Sequence, residues 1–142
     1  MRLPFYMLMF KVFHAQRNRM RKDMSEYQLA PGQPKVLRYI SAHSECMLKD
    51  IAEECDVSAA TVSKILNSLE EKKMLRRRID PENKRAYQLR ITEKGQDALN
   101  SWNKHCMEVD QISLKGFSED EKELFWSFLE RMYENLTGQD VR

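Results

Sequence analysis

The residues of this chain best suited to chemistry are cationic and close together. Between Lys72 and Arg90 stand Lys72, Lys73, Arg76, Arg77, Arg78, Lys84, Arg85 and Arg90, against only Asp80 and Glu82. That is +6 in nineteen residues of a chain whose formal net charge is +2. Guanidinium and ammonium groups at this density suit phosphate. The groups that carry catalysis are scattered instead. His14, His43 and His105 fall at no spacing that lets two imidazoles share a metal on one helix face, and the neighbours His105 and Cys106 would project apart. Cys46, Cys55 and Cys106 form no Cys-x-x-Cys pair, and the odd count reads as reduced thiols of a cytoplasmic protein. Gly95 and Gly116, the closest two of four glycines, are 21 residues apart. No Gly-rich loop can cradle a phosphate, which excludes P-loop and dinucleotide-fingerprint enzymes. No metal, no cofactor and no enzymatic activity are expected.

The basic run needs elements to position it. A chain of 142 residues is one domain long and can bury a real core. It is 42% hydrophobic and 32% charged, too apolar for a disordered tail and too charged for a membrane protein. The apolar start from Leu3 to Phe10 ends at Lys11 without a cleavage site, and no stretch reaches the ~20 apolar residues of a membrane span. Leu3 to Phe13 is apolar on nearly every face, so a helix there must be buried all round. Burial against a second subunit is the expectation. An intramolecular core is the alternative.

Leu29-Ala30-Pro31-Gly32-Gln33-Pro34 breaks the chain. A helix with Val36, Leu37 and Ile40 inward follows to about His43, and Leu48–Cys55 is a short third helix. Ser58 is placed to cap a fourth, whose Val62, Ile65, Leu66 and Leu69 form one stripe. Met74–Ile79 and Arg85–Ile91 read as strands of a hairpin turned by Asp80-Pro81-Glu82-Asn83-Lys84. Thr92-Glu93-Lys94-Gly95 leads into a fifth helix through about Val109. Ser118 and Glu121 form a capping box for a last helix, apolar at Leu124, Phe125, Phe128, Leu129 and Met132 and carrying −4 from Ser118 to Glu134.

Helix, helix, short helix, turn, helix, hairpin is the order of a winged helix-turn-helix. Ala52, ten residues before Val62, is small where two helices cross closely. Asp56 holds the turn position usually filled by Gly and tolerates its left-handed backbone. The expected fold is mainly α with a small β element (α+β): a winged helix-turn-helix lobe over 29–92, flanked by helices over 1–28 and 93–142 in a single domain. Ser58, Ala60, Thr61, Ser63, Lys64 and Asn67 lie opposite the apolar stripe of the fourth helix, where base edges and phosphates are met. Arg85, near the hairpin tip, suits a minor groove, and Arg76, Arg77, Arg78 and Lys84 suit backbone phosphates. A winged helix that binds protein is the rival reading, and a wing this basic argues against it.

In these runs the chain resembles the MarR family of bacterial transcriptional regulators. The matching segments are Leu29–Gln33 with Val36-Leu37, Leu48–Ala52, Val57–Ser63, Leu69–Leu75, and Arg77 to Gly95 with Asp80–Arg85 and Leu89–Gly95 inside it. They cover roughly the middle half of the chain. Two positions depart from the pattern. The family commonly has Gly where Lys73 or Met74 stands, and Asp where Asn83 stands, paired with the wing arginine. The resemblance implies a homodimer built by the first, fifth and sixth helices, with two winged lobes on a palindromic double-stranded DNA operator, acting as a repressor. It also implies a pocket for a small aromatic or anionic effector, for which Phe13, His14, Arg17 and Tyr39 are the candidates. Core or dimer contacts are the equal alternative for those four. No cysteine precedes Cys46, so the N-terminal oxidant-sensing thiol of some relatives does not carry over.

Overall fold

The computed structural model describes residues 1–43, 45–79, 81–82 and 86–141, with backbone only at 79, 86 and 87. The described chain divides into two compact units, Met1–Met107 and Glu108–Arg142.

The first unit opens with α1 (Phe5–Arg21), entered through Pro4, and a 3-10 turn at Met24–Tyr27. Next come α2 (Gln33–Ala42), β1 (Glu45–Met47), α3 (Leu48–Cys55) and α4 (Ala59–Glu71). A hairpin of β2 (Leu75–Ile79) and β3 (Ala86–Ile91) and the greater part of α5 (Glu93–Ser113) complete it. The sheet is antiparallel in the order β1-β3-β2, with Glu45 opposite Gln88 and Leu75 opposite Ile91. β1 has no counterpart in the sequence reading. Three residues are too few to show alternation, and their extended form depends on pairing with β3.

The core lies where the helix stripes meet the inner sheet face. Val36 and Leu37 of α2, Ile51 of α3, Val62, Leu66 and Leu69 of α4, and Leu75 and Leu89 of the sheet are all essentially inaccessible. Leu99 and Trp102 of α5 join the same cluster. α5 runs four residues beyond its expected end because no breaker precedes Gly116, whose φ is +87°.

Two turns set the geometry of α4, and both are Schellman motifs. After α3, Asp56 is left-handed (φ 54°), and the Val57 amide donates to the Ala52 carbonyl at 3.0 Å. After α4, Lys73 is left-handed (φ 63°), the Met74 amide donates to Leu69 O at 2.9 Å and the Lys73 amide to Glu70 O at 3.0 Å. Lys73 is one of the two positions where the resemblance expects Gly, and its backbone explains why. A left-handed residue bearing a Cβ carries a cost of about 1–2 kcal/mol. Lys73→Gly is therefore expected to stabilise the fold by about 1 kcal/mol, the relieved strain being partly offset by the freer unfolded chain. The urea midpoint, at fixed protein concentration and unchanged m-value, should rise. A fall would show that the lysine side chain holds the turn.

The second unit carries α6 (Glu119–Thr137). The expected capping box is present: Ser118 Oγ accepts from the Glu121 amide at 3.1 Å, and Glu121 Oε1 from the Ser118 amide at 2.8 Å. That hydrogen bonding holds the Glu121 carboxyl below the usual carboxylate range. α1 in the first unit and α6 in the second contain no buried residue, despite the phenylalanines of each.

Candidate nucleic-acid interface

The site begins at Ser58. Its extended backbone ends the turn after α3, and its Oγ accepts from the Thr61 amide at 3.1 Å, the expected N-cap. The hydroxyls of Ser58 and Thr61 are 2.9 Å apart. With Val62, Leu66 and Leu69 buried, α4 turns Ala60, Thr61, Lys64 and Asn67 outward, while Ser63 is half-buried. Thr61 and Lys64 are three residues apart and share a face.

β2 divides its three arginines by strand alternation. Arg76 and Arg78 are exposed on the outer face. Arg77 shares the inner face with Leu75 and is half-buried, opposite Leu89. Its Nη2 donates to Asn67 Oδ1 at 2.7 Å and to Glu70 Oε1 at 3.3 Å. Arg77 and Asn67, both read from sequence as DNA contacts, are thus brought together as a strut between α4 and the hairpin. Lys84 and Arg85, with Asn83, lie outside the described residues.

The far end of α4 is tied by hydrogen bonds between groups that the sequence reading did not bring together. Gln33, the one buried polar residue found among the described ones, sits at the start of α2. Its Nε2 donates to Ser68 Oγ at 2.9 Å, and its Oε1 accepts from the Ala30 amide at 3.0 Å and from Lys72 Nζ at 2.8 Å. Lys72 also donates to Gln28 O at 3.0 Å, so this member of the basic run points inward. Burial, and then the nearby Lys94 charge, lower its pKa below the ordinary lysine value. Lys94 donates to the Lys72 carbonyl at 2.9 Å, which places a cation at the negative end of α4. Thr92 completes the junction. Its hydroxyl donates to Lys73 O at 2.7 Å and accepts from the Gly95 amide at 3.1 Å.

The effector candidates separate. Phe13 and His14 have ring centroids 5.6 Å apart, and the Arg17 guanidinium lies 5.7 Å from the centre of the Phe13 ring. Arg17 Nε is buried without a hydrogen-bond partner among the described residues. Tyr39 is not brought to this group by any contact described; its ring stacks on His43 at 4.1 Å. A cleft of about 690 Å³ between the 3-10 turn and the start of α5, lined by Tyr27, Gln28, Met74 and Lys94 among others, contains none of the four.

The lobe is a winged helix-turn-helix, and relatives place it. A profile of the MarR family matches residues 29–87. An HTH-type transcriptional regulator of Clostridioides difficile, BilQ, is 32% identical over 104 residues, 72% of this chain and 70% of that protein. The chain belongs to the MarR family. Another member, the regulator MhqR of Bacillus subtilis, is 24% identical over 131 residues, 92% of this chain and 90% of its own. The MarR fold extends over nearly the whole chain: the crystal structure of a Staphylococcus aureus MepR–DNA complex matches with a TM-score of 0.81 at 23% identity, covering 94% of this chain and 99% of that one. The crystal structure of MarR matches at 0.80 and 24%, covering 96% and 100%. This family consists of transcriptional regulators, and the six helices and small sheet described here are its winged-helix architecture.

Proposed function

We propose that this chain is a sequence-specific repressor that binds double-stranded DNA as a homodimer on a palindromic operator. The observation that carries the reading is the exposed Thr61–Lys64 face of a capped α4 beside a hairpin with outward arginines. Thr61 and Lys64, with Ala60, meet base edges in the major groove. Ser58 brings the helix N-terminus to a phosphate, and Ser63 contributes at the edge of that face. Arg76, Arg78 and Lys84 neutralise phosphates, and Arg85 enters a minor groove. Arg77 and Asn67 act through the strut that fixes α4 against the wing. The exposed apolar residues of α1 and α6 are the dimer surface. The unmet Nε–H of Arg17, beside Phe13 and His14, supports a small aromatic or anionic effector. Catalysis is not part of the reading. Burial raises the pKa of the Cys46 and Cys55 thiols, the reverse of what a nucleophile needs. No described helix is long and apolar enough to cross a membrane, and we place the regulator in the cytoplasm with its DNA.

The test is to select bound duplexes from a random pool and measure affinity at three salt concentrations. Lys64→Ala should cost roughly 1–3 kcal/mol at one base pair and relax preference there. Arg85→Ala should weaken binding to all sequences and flatten the salt dependence by about 0.9 in slope. An unchanged slope and affinity for Arg85→Ala would remove the wing from the DNA interface and favour a protein-binding winged helix.

A further inference from the structure

On the outer face of the hairpin, Arg76 of β2 stands directly opposite Arg90 of β3. Both side chains are exposed. Directly opposed residues in an antiparallel pair have Cβ atoms about 5 Å apart, and like charges there destabilise the sheet. The fold does not answer this pair. β1 covers β3 only at Ala86–Gln88, so no third strand runs beside Arg90. Among the described residues, Lys49–Glu53, Arg77–Glu70 and Lys122–Glu119 are ion pairs, and neither Arg76 nor Arg90 takes part in one. The neighbouring row differs: Gln88, opposite Arg78, is hydrogen-bonded to Glu45, which brings a carboxylate to that end of the face. The inward Arg77 differs too, having Glu70 and Asn67. One row of the sheet therefore holds two guanidiniums with no carboxylate paired to either among the described residues.

We propose that Arg76 and Arg90 form a clamp for one phosphodiester at the base of the hairpin. The inference rests on the DNA-binding reading and deepens it: Arg90, outside that reading, joins Arg76 on one shared phosphate, separate from the hairpin tip. Two planar donor forks side by side match the non-bridging oxygens of a phosphate. A bound phosphate converts the like-charge repulsion into two attractions, so the pair is least costly when occupied. Three residues of strand separate Arg76 from Ile79, where β2 ends. At about 3.3 Å per residue that is roughly 10 Å, more than the ~7.5 Å depth of the minor groove that a hairpin tip would enter. The clamp therefore grips backbone outside that groove and reads no base.

Arg76→Thr, Arg90→Thr and the double variant keep a strand-forming side chain at each position. On a selected operator with long flanks, the double variant should lose affinity about equally for every single-base variant of the operator. Its salt slope should fall by about 0.9, the value for one phosphate. Trimming the flanks stepwise should reach a length at which parent and double variant bind alike. Without DNA, replacing chloride by inorganic phosphate at equal ionic strength should raise the melting temperature of the parent more than that of the double variant. In low salt the double variant should melt higher than the parent, which also reports that it folds. A parent that binds DNA while both slopes are equal overturns the clamp and leaves the DNA reading standing. Phosphate stabilisation that disappears in the variant with no change in the DNA slope assigns the pair to another anion and also overturns it. A parent that binds no duplex at all overturns both.

Discussion

Removing residues 1–13 is expected to abolish the dimer and, with it, measurable operator binding. Phe5, Tyr6, Leu8, Phe10, Val12 and Phe13 are each between 50% and 63% exposed in the single chain. Full burial of a large apolar side chain is worth roughly 1.5–3 kcal/mol, and about half of that remains to be gained at each of these positions. Six such residues from each of two subunits supply on the order of 10 kcal/mol, comparable with the ~4–15 kcal/mol cost of association. The dimer stands or falls on that surface. Binding to a palindrome falls with it, because each lobe then loses the effective concentration provided by the other. Sedimentation equilibrium gives the mass and a DNA titration gives the affinity. Where truncation causes aggregation, Tyr6→Glu with Phe10→Glu places charges on one exposed face, where the two rings lie 6.3 Å apart, and should give a folded monomer with native helical circular dichroism. A soluble monomer for the intact chain at micromolar concentration would overturn the expectation.

Gly95→Ala is expected to destabilise the protein by about 3 kcal/mol, at the upper end of the usual overpacking cost. Gly95 lies in the first turn of α5 and is buried. A methyl there would occupy the position of the Met74 carbonyl and lie 2.9 Å from Ile91 Cγ1. The carbonyl cannot retreat cheaply, since it accepts from the Thr92 amide at 3.0 Å. Nor can α5 retreat, because the Gly95 amide is held by the Thr92 hydroxyl. Met74 is the closing residue of the Schellman motif after α4, so the strain falls on the element that presents Lys64. Urea unfolding at fixed protein concentration measures the loss. Gly116→Ala is the control: its φ is +87° and nothing lies within 4 Å of an added Cβ, so it should cost only the left-handed strain of about 1 kcal/mol. A loss below about 0.5 kcal/mol for Gly95→Ala would show that the α4–α5 junction is not rigid.

The sequence by itself determined the parts of this protein that depend on neighbours three or four residues away. The Ser58 cap, the Ser118–Glu121 box and the α4 stripe are local hydrogen bonds and local periodicity, and their residues announce them. Asp56 belongs with them, since few side chains tolerate a left-handed turn. The order of these elements was enough for the winged helix-turn-helix, and the basic hairpin pointed to phosphate. What only the tertiary structure decided involves partners tens of residues apart. Gln33 reads as an ordinary polar residue after a breaker until Ser68 and Lys72 meet it in the core. Lys72 counts toward a basic surface until its ammonium turns back to Gln28. Arg76, Arg77 and Arg78 are one cationic run in the sequence. The alternation of β2 gives Arg77 to the strut with α4 and leaves Arg76 facing Arg90, and that register exists only once β3 has paired. β1 is the extreme case, a strand of three residues whose backbone is extended because β3 supplies its hydrogen bonds. Local chemistry chooses the elements, but which side of an arginine or a glutamine meets protein and which meets water depends on faces that no stretch of sequence contains.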